Sequence, residues 1–226
     1  MINSDKFSYH FEAISNRQER YKFIRKEFDT EIAEAKSILD VGCYNNYFKQ
    51  EFGDKVLGVD LVGKPDIKIN LEKEGLERFN DNQYDLVMCF EVLEHLDNLH
   101  EVFANLLRVS SRRVIISLPN AANYKKLWHI LRTGKTGSKQ YGLPASKPED
   151  RHKWFFSWQE IIELINKRAE LDGYEVEKVV FHYNLGFTYK DNPLLKFKEW
   201  IIKQLAQTFN LKGFSENVFI VLRVGD

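Results

Sequence analysis

Cysteine pairs, long hydrophobic runs and an excess of either charge are all missing from this 226-residue chain. Its two cysteines, Cys43 and Cys89, are too few for a disulfide framework. Both fall in apolar strand-like stretches, where a reduced thiol packs as a small hydrophobe rather than serving as a nucleophile. Thirty-three basic residues stand against thirty-three acidic ones, so no global field draws the chain to nucleic acid or to a membrane, and a small or neutral partner is expected. No apolar stretch approaches the length of a bilayer span, and the opening residues Met1 to Phe7 contain no apolar signal core. The expectation is a cytoplasmic protein with no stable membrane insertion. The length suits one domain over 1–226 with a full core.

What the chain does have is alternation. Strands are predicted over 37–41, 56–60, 66–70, 84–90, 113–118, 174–182 and 217–224, the earlier ones separated by segments with helical spacing. Tyr21, Ile24 and Phe28 give a helix over 17–28, within an N-terminal helical segment 1–35 that can lie across a ligand mouth. Leu99, Val102, Phe103, Leu106 and Leu107 recur at helical intervals after Asp97, a candidate N-cap. Ser157 and Glu160 form a candidate capping box ahead of Trp158, Ile161, Ile162 and Ile165. Short helices are expected over 46–52 and 121–132, and a helical insertion over about 183–214, apolar enough for a lid, a dimer contact or a membrane-surface helix, with core packing the leading expectation. Gly134, Gly137, Gly142, Pro144 and Pro148 make 133–150 a long surface loop, a kind that is often functional. The fold class that follows is α/β, a doubly wound, mostly parallel seven-stranded sheet with ligands at the carboxyl ends of its strands.

A further absence lies after the first of those strands. The Gly-x-Gly-x-x-Gly loop of a dinucleotide site would place glycines where Tyr44 and Tyr47 stand. What remains is Asp40-Val41-Gly42 at a sharp turn, and Asp60 closing the next strand, an acid able to accept both hydroxyls of a ribose. Asp40-x-Gly42 resembles motif I of the class I methyltransferases that use S-adenosyl-L-methionine, where the pattern is Asp-x-Gly-x-Gly-x-Gly. Tyr44 and Asn46 occupy its later glycine positions. The run Tyr84-Asp85-Leu86-Val87-Met88-Cys89-Phe90-Glu91-Val92-Leu93-Glu94-His95-Leu96 resembles strand four and the following turn of many small-molecule methyltransferases, and Pro119-Asn120 resembles their step beside the acceptor. The resemblance covers about 38–173 and implies a Rossmann-like class I methyltransferase fold. It implies a cofactor site of Asp40, Gly42, Cys43 and Tyr44, then Asp60 and Leu61, with Asn70 and Leu71 flanking the adenine and Phe90 and Glu91 beside the donor. Each also has a plainer reading, since strand-end aspartates, Asn-Leu and Pro-Asn are common in turns.

Methyl transfer from a sulfonium asks mainly for placement and exclusion of water, while a hydroxyl acceptor gains from a neutral imidazole as base. His152 is the first candidate for that base and His95 the second. Glu91, Glu94 and His95 do not match a zinc-peptidase motif, because Glu91 stands where its first histidine belongs. Some quinone-precursor and small-RNA 2′-hydroxyl methyltransferases do place a divalent ion on Glu-x-x-Glu-His, the latter adding a distant His-Lys-aromatic segment. Here that would give Glu91, Glu94, His95 and His152, the last within His152-Lys153-Trp154. Arg151 occupies the place of an acid, and His-x-x-x-Phe-Ser is common among metal-free relatives, so the expectation is that no metal is used. The resulting expectation is O-methylation of a small metabolite, sugar or lipid-linked precursor. Two alternatives stand beside it: metal-assisted RNA 2′-hydroxyl methylation, and a non-catalytic fold in which Tyr44 and Asn46 obstruct the cofactor.

Overall fold

Strands that are apolar at nearly every position suit a sheet buried on both faces. The computed structural model describes residues 2–137, 140–146, 148, 151–184, 194, 197, 200–201, 204–205 and 212–224. Its strands are β1 (Phe7–His10), β2 (Ile38–Val41), β3 (Val56–Asp60), β4 (Ile67–Lys68), β5 (Tyr84–Phe90), β6 (Ser110–Pro119), β7 (Glu175–His182) and β8 (Asn217–Arg223). They form one sheet in the order β1-β7-β8-β6-β5-β2-β3-β4. Strand β8 runs antiparallel to β6 and β7, and the other neighbours pair in parallel.

Side chains alternate across this sheet with the period of a strand. Leu39, Val41, Val87, Cys89, Val114 and Ile116 enter one core, covered by α4 (Leu99–Val109) and α6 (Trp158–Asp172). Ile38, Leu86, Met88, Ile115 and Phe219 enter the other, beneath α1 (Arg17–Glu27), α2 (Asp29–Glu34) and α3 (Tyr47–Phe52). The Ser157–Glu160 capping box forms as expected and fixes the start of α6.

Several boundaries differ for identifiable reasons. The sheet has eight strands rather than seven, because β1 adds to its edge beside β7. The N-terminal segment is therefore not purely helical, and the alternation of Phe7, Tyr9 and Phe11 was the period-two signal for this strand. The helix expected over 17–28 ends at Glu27, and Phe28 becomes the joint to α2. Asp97 does not cap α4; Asn98 holds that position and donates its amide to the Leu71 carbonyl. Helix α5 (Tyr124–Thr133) starts late because the N–H groups of Ala121 and Ala122 bond to Phe156 O, leaving Asn123 as the N-cap. Most of 183–214 lies outside the described residues; Leu194, Phe197, Trp200, Ile201, Gln204 and Leu205 are helical as expected, but Leu194, Phe197, Trp200 and Leu205 are exposed and do not pack in the core.

His182 closes β7 in the second core, its ring against Phe23 and Phe219. Its Nε2–H donates to the Glu12 carbonyl at 2.7 Å, and Nδ1 has no hydrogen-bond partner among the described residues. Burial pushes its pKa down from 6.5 to about 4. Between those values the unfolded chain binds a proton that the folded chain refuses, so stability falls as pH is lowered. The slope for one proton is at most about 1.4 kcal/mol per pH unit. Urea titrations of the wild type and His182→Phe should therefore converge toward neutral pH and diverge toward pH 4, with the wild type losing more; parallel curves would contradict the assignment.

Candidate active site

The carboxyl ends of β2, β3 and β5 open into a cavity of about 790 Å³, with α1 along one side. The loop after β2 shapes it. Gly42 has φ 84°, Tyr44 φ 47° and Asn46 φ 57°, so the backbone is left-handed at all three residues. For tyrosine that conformation costs roughly 1–2 kcal/mol. The Asp60 carboxylate offsets it, accepting the Tyr44 N–H at 2.8 Å on Oδ2 and the Val62 N–H at 3.0 Å on Oδ1. A carboxylate has about four acceptor positions, so Asp60 keeps capacity for two hydroxyls. The Tyr44 ring lies under the Arg17 guanidinium, 4.1 Å from centroid to Cζ, a cation–π contact across the cavity rim.

Asp40 sits one residue inside the end of β2 and is 4% exposed. Burial, reinforced by the charge of Asp60, raises its pKa from 3.8 to about 7. A cation delivered into this cavity would stabilise its ionised form. The Cys43 thiol beside it is pushed up by burial and by nearby acids, which suits packing and not nucleophilic attack.

Glu94, His95 and His152 converge on the opposite wall. Their candidate donor atoms all lie within 4.8 Å of one another, although His152 is 58 positions beyond Glu94. Glu94 is fully buried, with Oε1 3.8 Å from His95 Nε2 and 3.9 Å from His152 Nε2. His95 Nδ1 donates to the Arg151 carbonyl at 3.1 Å; a carbonyl cannot donate, so a neutral His95 carries its lone pair on Nε2. His152 Nδ1 meets the Tyr141 hydroxyl at 2.7 Å. The two segments are stapled by Lys153 N–H to Glu94 O at 2.8 Å, Trp154 Nε1 to Leu96 O at 2.7 Å and Lys153 Nζ to Asp97 at 2.6 Å.

The twelve residues singled out from sequence, Asp40, Gly42, Cys43, Tyr44, Asp60, Leu61, Asn70, Leu71, Phe90, Glu91, His95 and His152, all line this one cavity. Two details differ from expectation. Glu91 stands apart from the Glu94–His95–His152 group, with Oε1 accepting from Ser117 Oγ at 3.1 Å. Asn120, beyond β6, is buried and bonds to Ser215, so its side chain supports the fold instead of facing an acceptor. Arg17, Arg20 and Tyr21 from α1 also line the cavity. Sequence reasoning anticipated that α1 could cross a ligand mouth but not which side chains would reach it. Tyr141 carried no signal beyond its place in the loop.

A profile of the methyltransferase-domain family matches residues 12–176. Over 165 residues the chain is 34% identical to the ubiquinone biosynthesis O-methyltransferase of Rickettsia bellii, covering 64% of this chain and 65% of that protein. The chain thus spans about 65% of the length of the curated relative it matches. Among solved structures, a SAM dependent methyltransferase from Archaeoglobus fulgidus superimposes with a TM-score of 0.56 at 19% identity, over 92% of this chain and 95% of that one. The methyltransferase domain of bacterial-CtHen1-C gives 0.54 at 18% identity, over 92% and 97%. At those identities the superpositions speak for the fold alone.

Asp40 yields a prediction that needs no ligand. From about pH 4 to pH 7 the folded chain holds a proton that the unfolded chain has released, so this residue makes stability fall as pH rises. Asp40→Asn should remove that slope. Its melting temperature should gain on the wild type as pH rises through this window; a constant difference would refute the raised pKa.

Proposed function

From the premise that this chain belongs to the methyltransferase-domain family, we propose that it transfers a methyl group from S-adenosylmethionine to a hydroxyl of a small metabolite, sugar or lipid-linked precursor. The observation that carries this reading is the single cavity joining Asp60 and the loop after β2 to the Glu94–His95–His152 wall. The residues suit the cofactor. Asp60 has acceptor positions for a ribose diol, Asn70 and Leu71 offer a rim for a base, and Asp40 is a buried acid that an ammonium or sulfonium would stabilise in its ionised form. When bound, the sulfonium supplies an electrophilic methyl group and a neutral thioether leaving group.

The chain's own residues then have to orient the acceptor, keep water out and remove one proton. As the acceptor oxygen bonds to the methyl carbon, its hydroxyl proton passes to Nε2 of His152, whose ring is held from the far side by Tyr141. General-base assistance of this kind contributes about 10²–10⁴ in rate. The 34% identical relative is named as an O-methyltransferase, which supports oxygen as the acceptor atom.

A second reading is favoured by the three donors within 4.8 Å. Glu94, His95 and His152 would hold a divalent cation there, a donor set of one carboxylate and two imidazoles that fits Zn²⁺, Mn²⁺ or Fe²⁺. Such an ion would supply Lewis acidity toward an acceptor hydroxyl. The same reading brings RNA 2′-hydroxyls into consideration as acceptors.

Replacing Asp60 by Ala should weaken S-adenosylmethionine binding by ~1–3 kcal/mol, the range for a charge-assisted hydrogen bond. Calorimetry checks this, and unchanged affinity in a natively folded Asp60→Ala protein would remove the ribose assignment. A wild type that fails to bind the cofactor would instead favour the non-catalytic alternative.

His152→Ala should lower kcat by at least about 10² while leaving cofactor affinity intact. Chelation separates the two readings. With His152 as base, chelator-treated protein keeps its activity; with a bound cation, activity disappears and returns when the divalent ion is restored.

A further inference from the structure

Helix α5 is amphipathic in an unusual direction. Tyr124, Leu127, Trp128 and Leu131 fall at i, i+3, i+4 and i+7 and share one face. Tyr124 is 45% exposed and packs edge-on against Phe214, with ring centroids 4.9 Å apart. Leu127, Trp128 and Leu131 do not enter the core: they are 37%, 67% and 80% exposed, and α5 contains no buried residue. Leu143, in the loop that follows, is 99% exposed. The charge of this region is equally one-sided. From Tyr124 to Pro148 the sequence has six lysines and arginines and no acid, within a chain whose total charge is zero.

We propose that α5 and the Leu143 loop form a docking face for an anionic lipid surface. An apolar stripe immerses in the boundary between headgroups and acyl chains while flanking cations meet the negative headgroups. Trp128 suits the interfacial layer, where an amphipathic indole prefers to lie. The chemistry favours lipid over RNA, because Leu127, Leu131 and Leu143 cannot stack on bases and offer them no hydrogen bonds. Lys125 and Lys126 have Glu216 at 3.7 and 3.8 Å, so Arg132 and Lys135 would make the larger contribution to the attraction.

The loop that carries Leu143 adjoins the candidate site. Tyr141, two residues before Leu143, touches His152 at the cavity wall. If the proposed methyl transfer is correct, docking would bring the cavity to a lipid-borne acceptor, the last of the substrate classes named above. The docking itself stands independently of that reading.

Co-sedimentation with vesicles tests it without any transferase assay. The full chain should pellet with vesicles of mixed phosphatidylcholine and phosphatidylglycerol and remain in solution with phosphatidylcholine alone, and high salt should release it. Trp128→Glu combined with Leu131→Glu should reduce the bound fraction by roughly tenfold or more, with an unchanged circular dichroism spectrum, since both side chains are exposed. Wild type that stays in solution with anionic vesicles, or a double variant that pellets as well as wild type, would overturn the proposal. So would tighter binding to single-stranded RNA lost in the same variant. A second copy of the chain as the true occupant would appear in sedimentation equilibrium as a dimer that the substitutions break, with no vesicle binding.

Discussion

Parallel strands covered on both faces leave no room for unpaired polar groups inside the layer, and the placement of the candidate site depends on that constraint. Strands β2, β3, β5 and β6 are lined by Leu39, Val59, Val87, Ile116 and their neighbours, so chemistry can collect only where the strands end. Asp60 is the last residue of β3, Glu91 follows β5, and Asn120 follows β6. Because these strands run in the same direction, their ends lie along one edge. Asp40 tests the rule by standing one residue inside its strand, and the consequence is an acid whose pKa is raised toward neutrality. His182, at the end of β7, meets the same constraint with the opposite sign of charge. Across mildly acidic pH the two groups tilt stability in opposite directions.

The second wall of the cavity is not built by the sheet. Its three converging groups come from the turn Leu93–His95 and from a segment beyond the long loop. What brings them together is mainly backbone and indole hydrogen bonding: Lys153 N–H to Glu94 O, Trp154 Nε1 to Leu96 O and His95 Nδ1 to Arg151 O. Each such bond contributes on the order of 1 kcal/mol net. The Lys153 ion pairs with Glu72 and Asp97 add less, because they are partly exposed and screened. Substituting Lys153 would therefore disturb the cluster less than replacing Trp154, whose indole reaches the turn directly.

The sheet was legible in the sequence because period-two burial and strand-end residues are local signals. β3 and β5 appear with the boundaries read from Val56–Asp60 and Tyr84–Phe90. β6 runs longer, since Ser110 pairs with Tyr84 and Pro119 with Asn217, and pairing partners are not visible in a single stretch. The edge strand β1 is four residues long, Phe7 to His10, so its period-two alternation is a weak signal beside the helical spacing that follows it. The candidate cofactor residues could be gathered because Asp40-x-Gly42 and the Tyr84–Leu96 run resemble methyltransferase motifs. Tyr141 could not, because its meeting with His152 is decided by the path of a loop, which leaves no periodic trace. Glu91 likewise looked equivalent to Glu94 in the Glu-x-x-Glu-His spacing. A left-handed backbone at Glu91, φ 56°, and the hydroxyl of Ser117 separate them.

The loop after β2 shows how a glycine requirement can move. Where the resembling pattern has glycines, this chain has Tyr44 and Asn46, and the backbone is left-handed at both. The space for these larger residues comes from glycines elsewhere. A Cβ on Gly63 would lie 2.3 Å from Tyr44 O, and one on Gly58 would lie 2.3 Å from Asn46 Oδ1 and 2.8 Å from Cys43 Sγ. The Tyr44 carbonyl accepts from Lys64 N–H at 2.6 Å, and the Asn46 amide donates to Asp66 at 3.1 Å. Asp66 also accepts the Gly58 N–H at 2.8 Å, tying the loop to β3. The missing side chains have thus shifted from the loop to the residues that face it. Tyr44 is held by the neighbouring turn and by Arg17, an arrangement that explains how a bulky residue persists at a position where backbone geometry favours glycine.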